Sequence, residues 1–338
     1  MAGGTGFLGF HATLELLRRG HEVSTASIPD VELGDWFPSR VGVVHANLFK
    51  APPADLVELV GGHDALVYAI GPDDRVTPPA PAYEFFHHRL VDCCGRVLDA
   101  AREAGVRKAV VLNSYFAYFD REWPELRLAE RHPYVRCRVE QARRAIEAGW
   151  GRMDVCVLEL PYIFGAMPGR MPLWRDVLFE RVRKMPVVFF PRGGTNAIAV
   201  EAVGQAIAGA VERGEHGRRY PVGDENLTWK ELLSVVLDAM GLKRRVVTLP
   251  TRVATWYGKL LKSREKRHGL ESGLDLARFF ADVQSRELFF DPEPTCRALG
   301  YERGGVVEAI KRAVAACYPD SPAAAELGRE GGAAAAAS

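Results

Sequence analysis

The sequence predicts an α/β fold, a doubly wound parallel sheet with a smaller, mixed C-terminal lobe. Short and continuously apolar runs alternate with segments of helical period as far as residue 160, which is typical of a parallel sheet covered by helices on both faces. A glycine cluster, GGTGFLG at residues 3–9, stands directly before the first helical segment. Beyond Pro161 repeated prolines loosen the pattern, which indicates a second, irregular lobe.

The elements follow from periodicity and from turn residues. Phe10, Leu14 and Leu17 recur at helical spacing, and Gly20 is a natural helix end. Apolar runs of about four to eight residues between turn residues predict buried strands. In chain order we predict a helix over 10–19, strands over 21–26 and 41–44, a helix over 55–60, a strand over 64–70, a helix over 83–104, a strand over 108–112, a helix over 134–148, a strand over 153–160 and, in the second lobe, helices over 200–212, 228–240 and 306–316.

Composition argues against several classes of function. The 338 residues carry a formal net charge of +1, so no global field favours nucleic acid or an anionic membrane. No apolar run is long enough to span a membrane, and no signal peptide is visible. The six cysteines include no CxxC pair, so no metal site is predicted. We expect a cytoplasmic protein with reduced thiols and a small-molecule substrate.

The glycine cluster has the spacing of a phosphate-binding turn. Its GTGFLG satisfies GxGxxG, in which the first glycine permits a tight turn and the second lets the backbone approach a pyrophosphate. The third lets the following helix lie close to the sheet, and the free N–H groups at the helix start face the phosphates. The predicted dinucleotide-contacting residues are Gly3, Gly4, Thr5, Gly6, Phe7, Leu8 and Gly9.

With later motifs, this turn makes the chain resemble the extended short-chain dehydrogenase/reductases, also called the NAD-dependent epimerase/dehydratase family. The resemblance runs from Gly3 to about Ala316 and implies a Rossmann-type sheet that binds NAD or NADP. It is carried by GGTGFLG, by Asn47-Leu48, and by DALVYAIG at 64–71, LDAA at 98–101, PYIFG at 161–165, VGD at 222–224 and LGY at 299–301. The further cofactor contacts that it implies are Asn47, Leu48, Ala69, Ile70, Gly71, Pro161 and Ile163.

The resemblance also implies a catalytic Ser, Tyr and Lys, the last two spaced Tyr-x-x-x-Lys. Ser114 follows the KAVVL strand, at the strand end where open α/β sheets bind ligands, and is the expected hydrogen-bond donor to the substrate oxygen. Tyr134 opens a helix and is the expected acid/base. Position 138 lies one turn further on the same face, but it is arginine.

Arg138 changes the expected chemistry at the lysine position. Its charge can hold a ribose and lower the pKa of Tyr134, but a guanidinium does not give up a proton. A working arginine variant, a slowed enzyme and a cofactor-binding protein without turnover are the three outcomes, of which we favour the first.

The choice of nicotinamide cofactor depends on the end of the second strand. Counting through GHEVSTAS places Ser27 where NAD-binding proteins usually have an acid. A neutral residue does not repel a 2′-phosphate, so the prediction tips toward NADP. Asp30 follows Pro29 and is expected to point elsewhere, whereas Arg40 could fold back to the ribose.

The second lobe offers two candidate substrate contacts, each with a structural alternative. An arginine cluster is expected either to grip a diphosphate or, as the structural alternative, to form a solvated helix face. Four aromatic residues are expected either to line a substrate pocket or to pack within the lobe. Phe189 is expected in the core. The arginines are Arg170, Arg175, Arg181 and Arg183, and the aromatic residues are Trp174, Phe179, Trp256 and Tyr257.

Three segments are predicted. Residues 1–165 form an NAD(P)-binding domain with later returns near 195–225, and residues 166–320 form mainly a substrate-binding lobe. The low-complexity residues 321–338 predict a disordered tail. Because a buried strand needs about five residues and only Met1 and Ala2 precede the glycine cluster, we expect a truncated first strand and an empty slot in the sheet.

The expected function is an NAD(P)-dependent oxidoreductase or epimerase/dehydratase that transfers hydride at a secondary alcohol or ketone carbon. One alternative is a non-catalytic dinucleotide-sensing or scaffold protein on the same fold. A second is a sugar-nucleotide epimerase. Whether the chain forms a homodimer through the helices over 83–104 and 134–148 is left open by the sequence.

Overall fold

The structure is a computed structural model, which describes residues 1–28 and 33–336. Its strands are β1 (Ser24–Ser27), β2 (Gly42–His45), β3 (Ala65–Tyr68), β4 (Lys108–Ser114), β5 (Asp154–Leu160), β6 (Tyr162–Phe164), β7 (Val187–Pro191), β8 (Gly194–Ala199), β9 (Arg219–Pro221), β10 (Glu225–Thr228), β11 (Arg245–Leu249) and β12 (Glu287–Leu288).

The α-helices are α1 (Phe7–Arg18), α2 (Pro53–Val60), α3 (Ala82–Phe86), α4 (Cys93–Glu103), α5 (Tyr115–Glu122), α6 (Leu128–Arg131), α7 (Pro133–Gly149), α8 (Glu180–Lys184), α9 (Val200–Arg213), α10 (Trp229–Ala239), α11 (Thr251–Arg267), α12 (Leu276–Phe279), α13 (Glu293–Leu299), α14 (Val306–Cys317) and α15 (Pro322–Ala336). Wider π-helical turns occur at His87–Asp92, Arg175–Phe179 and Phe280–Gln284, and a 3₁₀ turn at Pro124–Leu126.

The main sheet is parallel, with the spatial order β2-β1 and β3-β4-β5-β9, and Ala2 bridges β1 to β3. Helices α1 and α9 cover one face, and α2, α4 and α7 cover the other. Strand β4 is buried along almost its whole length, as its continuously apolar run predicts. The predicted doubly wound parallel sheet is confirmed.

The second lobe is built on smaller, mixed pairings, as predicted. Strand β8 pairs antiparallel with β10 and parallel with β6 and β12, and β7 pairs in parallel with β11. In the region where the sequence predicts a return to the first domain, β9 joins the main sheet, whereas β8 belongs to the second one. The domain boundaries themselves stay a prediction. None of the helices in residues 1–28 and 33–336 combines the length and apolar character that crossing a membrane requires.

Met1 and Ala2 lie between β1 and β3, in part of the slot that the sequence predicts to be empty. The Ala2 N–H donates to Val67 O at 2.8 Å, and the Ala26 N–H donates to Met1 O at 2.8 Å. Beside them lies a cavity of about 230 Å³, lined mainly by apolar residues of β1, β3, α2 and α4. Burial lowers the pKa of the Met1 ammonium group to about 6.

The predicted disordered tail differs from the structure over the described residues. Helix α15 covers Pro322–Ala336, Ala323 is buried, and Lys311 of α14 forms an ion pair with Glu326 at 2.8 Å. Alanine is the best helix former, so a low-complexity alanine-rich sequence can continue as a helix once its first turn packs on a neighbour.

Strand β5 contains a buried carboxylate that α5 neutralises. The Glu159 side chain is fully buried, and both of its oxygens accept hydrogen bonds from the guanidinium of Arg121, at 2.6 and 2.7 Å. The Arg121 side chain is 35% exposed. This two-point contact fixes α5 against the sheet directly after Ser114.

We expect Arg121→Ala to lower the free energy of unfolding by about 3 kcal/mol, because it leaves Glu159 buried without a partner. The measurement is urea unfolding. Arg297→Ala is the matched control, since the Arg297–Glu293 pair is exposed and its loss costs less than about 1 kcal/mol. Equal losses for both variants would contradict a specific role for the buried pair.

Candidate active site

The glycine cluster forms a tight turn between Ala2 and α1. Gly3 has a φ of +88°, which favours glycine, and Gly6 caps the start of α1 with the Gly6 N–H donating to Gly3 O at 3.1 Å. A Cβ on Gly9 would overlap the carbonyl oxygen of Gly3, so only glycine lets the helix lie this close to the turn. The turn is also tied to β1, because the Gly4 N–H donates to Thr25 Oγ1 at 2.8 Å.

Two further predicted cofactor segments meet this turn. A Cβ on Gly3 would lie 2.9 Å from Ala69 O and 2.6 Å from the Ile70 side chain, so the end of β3 borders the glycines directly. The loop after β6 reaches α1, where His11 Nε2 lies 3.0 Å from Ala166 O. Gly71 belongs to the first of these segments, whereas Pro161 directly precedes β6 and Ile163 lies within it. Thus the turn and α1, residues 69–71 and the residues that end and follow β6 come together at the carboxyl edge of the sheet, where a Cβ on Gly165 would lie 3.7 Å from the Phe7 ring.

The residues predicted to contact the adenosine half of the cofactor differ in whether their side chains are exposed to a ligand. Asn47 is exposed, and its side chain accepts a hydrogen bond from the Phe49 N–H at 3.1 Å. The Leu48 side chain packs in the core below the sheet, so only its backbone remains for a ligand. Ser27 is buried, with its Oγ 2.8 Å from Thr5 Oγ1. Arg40 is exposed, and Asp30 lies outside the described residues.

The three predicted catalytic residues converge on the end of β4. Ser114 is the last residue of β4, and its Oγ accepts a hydrogen bond from the Phe116 N–H at 3.3 Å. Tyr134 lies in the first turn of α7, where the Tyr134 N–H donates to Gly273 O at 2.8 Å. Arg138 Nε donates to Tyr134 Oη at 2.9 Å, so the predicted one-turn spacing produces a direct contact.

The guanidinium of Arg138 is almost completely occupied by protein acceptors. Its Nη1 donates to Gln141 Oε1 at 2.9 Å and to Leu112 O at 3.4 Å, and its Nη2 donates to Pro72 O at 3.4 Å. With the bond to Tyr134, four of its five N–H groups are used. One Nη2 hydrogen has no acceptor among the described residues, and that this arginine holds a ribose stays a prediction.

The pKa of Tyr134 reflects opposing influences from burial and from the charges beside it. Burial raises the pKa of Tyr134 to about 12, while Arg138 acts in the lowering direction and Asp74 in the raising direction. Arg138 thus acts in the predicted direction, but the pKa stays above its ordinary value because loss of water penalises the phenolate more than this one cation compensates. Tyr134 is a neutral phenol at neutral pH.

Sequence reasoning missed the polar residues that surround this group. Asp74 and Arg75 follow β3, and the Arg75 guanidinium lies over the Trp174 ring at 5.2 Å. Trp174 stacks on Tyr162 at 5.1 Å between ring centroids. Burial raises the pKa of the Asp74 carboxyl. The sequence does contain signals for these residues. Asp74 and Arg75 follow shortly after the DALVYAIG motif, and Gln141 lies three residues after Arg138, on the same face of α7.

The second-lobe candidates separate into buried and exposed groups. Trp174 and Phe179 are buried, whereas Trp256 and Tyr257 are exposed on α11. Phe189, expected in the core, is 52% exposed. Arg183 pairs with Glu180 at 3.2 Å and lies over the Tyr318 ring at 5.6 Å. Burial raises the pKa of Cys317, and the charge of Arg175 partly opposes this rise. Arg175 therefore lies near the end of α14, where Cys317 is the last residue. Arg170 and Arg181 are exposed.

We expect Gly6→Ala to reduce NAD(P)H affinity by at least about tenfold with little change in melting temperature, because the new Cβ meets the protein only at 3.3 Å but enters the phosphate side of the turn. Fluorescence titration and thermal melts measure the two effects. Gly9→Ala should instead lower the melting temperature. Gly328→Ala on α15 is the control, since nothing lies within 4 Å of its Cβ.

Ser27→Asp should weaken NADPH binding by about tenfold or more and leave NADH binding similar or stronger, because a carboxylate repels the 2′-phosphate and accepts from a 2′-OH. The readout is the ratio of the two dissociation constants. Ser27→Ala is the neutral control. An unchanged ratio in the aspartate variant would show that position 27 does not face the ribose.

Comparison with known proteins agrees with this geometry. Residues 3–149 match the family described as NAD(P)H-binding. Among solved structures, gox2253 is 20% identical with a TM-score of 0.75, covering 93% of this chain and 96% of that one. A nucleoside-diphosphate-sugar epimerase from Pseudomonas aeruginosa is 17% identical with a TM-score of 0.67, covering 93% and 94%.

A third structure is DesIV, a dTDP-glucose 4,6-dehydratase from Streptomyces venezuelae with NAD and TYD bound. It is 17% identical with a TM-score of 0.66, covering 94% of this chain and 96% of that one. No curated protein matches the sequence. The family match makes residues 3–149 an NAD(P)H-binding domain, and the chain shares the fold of these three solved structures over more than 90% of its length.

Proposed function

We propose that this chain is an NAD(P)-dependent oxidoreductase or epimerase/dehydratase that transfers hydride at a secondary alcohol or ketone carbon. The observation that carries the proposal is the 2.9 Å hydrogen bond from Arg138 Nε to Tyr134 Oη, at the carboxyl edge of the sheet that also holds the glycine turn. An acid/base phenol paired with a permanent cation beside a nicotinamide site fits this chemistry.

Each residue has a distinct part in the proposed reaction. The nicotinamide supplies or accepts the hydride when it is bound. Tyr134 holds its proton at neutral pH and donates it to the carbonyl oxygen during reduction, and Arg138 stabilises the phenolate that remains. Ser114 Oγ already accepts from the Phe116 N–H, so its own hydrogen is free to orient the substrate oxygen. The high pKa of Tyr134 therefore favours reduction at neutral pH.

A sugar-nucleotide epimerase is the second candidate. It is supported by the fold shared with the Pseudomonas aeruginosa epimerase and with the Streptomyces venezuelae dehydratase. Of the two alternatives for the second-lobe arginines, the diphosphate grip has less support, because Arg183 is engaged by Glu180 and Tyr318 and Arg175 lies near Cys317. We therefore rank a nucleotide-sugar substrate behind a simpler ketone or alcohol.

Tyr134→Phe should reduce hydride transfer by about a thousandfold or more and leave NAD(P)H affinity within about twofold, because the proton donor is removed while the glycine turn is unchanged. The same change removes the acceptor of Arg138 Nε, so a thermal melt accompanies the titration. Deuterium transfer from 4-deuterated NADH and NADPH is measured against a panel of ketones and nucleotide sugars. Tyr83→Phe is the control, since Tyr83 Oη donates to Glu140 at the α7 surface. If the unaltered chain binds the cofactor but transfers no label to any substrate, the non-catalytic alternative gains.

The pH dependence has a defined sign. Reduction requires protonated Tyr134 and should be level across neutral pH, whereas alcohol oxidation requires phenolate and should rise with pH toward the Tyr134 pKa of about 12. Asp74→Asn removes a charge that raises this pKa, so the oxidation limb should move to lower pH. Arg138→Gln should move it to higher pH. Unmoved profiles in both variants would assign proton transfer to another group.

A further inference from the structure

Helix α11 carries an apolar stripe on its outer face. Val253, Trp256, Tyr257 and Leu260 are 48%, 63%, 53% and 47% exposed. Their spacing of i, i+3, i+4 and i+7 places them on one face of the helix. The opposite face is the buried one, where Gly258 lies against Leu276 O and the Phe280 ring. About half of each of these side chains faces solvent, although the Tyr257 ring also contacts Phe280 at 6.5 Å between ring centroids.

The same helix concentrates positive charge. Six of its seventeen residues are Lys or Arg and one is acidic, whereas the whole chain has a formal net charge of +1. The acid, Glu265, accepts hydrogen bonds from the backbone and side chain of Ser272. In the described part of the chain, only Lys262 among the six forms an ion pair, with Asp275 at 2.7 Å. The six cations are Arg252, Lys259, Lys262, Arg264, Lys266 and Arg267.

Charge and apolar surface lie on the same side of α11. Arg252 precedes Trp256 by four residues, and Arg264 and Arg267 follow Leu260 by four and seven, so arginines extend the stripe at both ends. All three arginines are exposed. An occupant of this face must accept apolar side chains and supply negative charge around them.

A second copy of the chain meets these requirements poorly. Two α11 helices placed face to face would bring six cations against six across a low-dielectric contact, which is repulsive. A bilayer with anionic lipids meets both, because its acyl boundary accepts Trp, Tyr, Leu and Val while its headgroups attract Lys and Arg. We propose that α11 is a peripheral membrane-binding helix that lies in the interface of an anionic bilayer.

The position of α11 relates this surface to the candidate active site. The segment after the helix pairs with the loop before α3, where the Ala80 N–H donates to Gly269 O at 2.9 Å and the Ala82 N–H donates to Glu271 Oε2 at 2.7 Å. Two residues further on, Gly273 O accepts from the Tyr134 N–H. Membrane docking thus places the candidate site next to the lipid surface. Only this last consequence rests on the proposed function.

The test is co-sedimentation of the full chain with vesicles of phosphatidylcholine alone or mixed with phosphatidylglycerol. We expect binding to the mixed vesicles that weakens with salt, and a blue shift of tryptophan emission as Trp256 enters the interface. Trp256→Ser with Leu260→Ser, and separately Lys259→Glu with Arg264→Glu, should each reduce binding by about tenfold or more.

Controls separate this surface from general stickiness and from misfolding. Trp150→Ser changes an exposed aromatic residue that directly follows α7, and Arg143→Glu changes an exposed cation on α7; both should leave vesicle binding unchanged. NAD(P)H titration and thermal melts should match the unaltered chain in every α11 variant.

Two results would overturn the proposal. One is the absence of binding to mixed vesicles, or binding that neither α11 double variant reduces. The other is a dimer in sedimentation velocity that the Trp256→Ser and Leu260→Ser pair dissolves, which would assign the stripe to a second copy. If the unaltered chain does not bind NAD(P)H, the proposed function fails, but the vesicle result still decides whether α11 binds membranes.

Discussion

The buried guanidinium of Arg138 is the contact on which the candidate site depends. It joins three parts of the molecule, because its donors reach Leu112 O in β4, Pro72 O after β3, and the side chains of Tyr134 and Gln141 in α7. Asn113 closes the network by donating to Arg138 O and to Gln141 Oε1. A buried charge persists only where its donors are satisfied, so this network fixes the angle of α7 on the sheet and with it the position of the phenol.

A second constraint is the close approach of α1 to the glycine turn. Gly9 and Gly3 lie too near each other for any side chain, and the turn is bonded to β1 through Thr25 and Ser27. The helix start therefore faces the same sheet edge as Ser114 and Tyr134. In the proposed function, a dinucleotide bound at the turn would extend along this edge toward Ser114 and Tyr134.

Local electrostatics differ from the global balance at both sites of interest. A nearly neutral chain contains a phenol whose pKa burial raises and Asp74 raises further, and it also contains a helix with six cations and one acid. The net charge of the whole chain averages over these environments, so it predicts neither the pKa of Tyr134 nor the concentration of cations on α11. The pKa of a group depends on its exposure and neighbours, and the attraction of a surface depends on which charges share a face.

The sequence by itself determined the sheet, the glycine turn and the Tyr134–Arg138 spacing. These depend on local periodicity, on glycine's conformational freedom and on positions one helical turn apart, all of which are encoded within a few residues. Helix α5, whose aromatic residues show no clear period, and the helical state of residues 322–336 did not follow from local pattern, because packing decided them. Only the tertiary structure brought Asp74 and Arg75 beside Tyr162, buried Leu48, exposed Phe189 and left about half of each side chain in the α11 stripe facing solvent. Burial and long-range contact are set by which elements meet, and no local pattern carries that information.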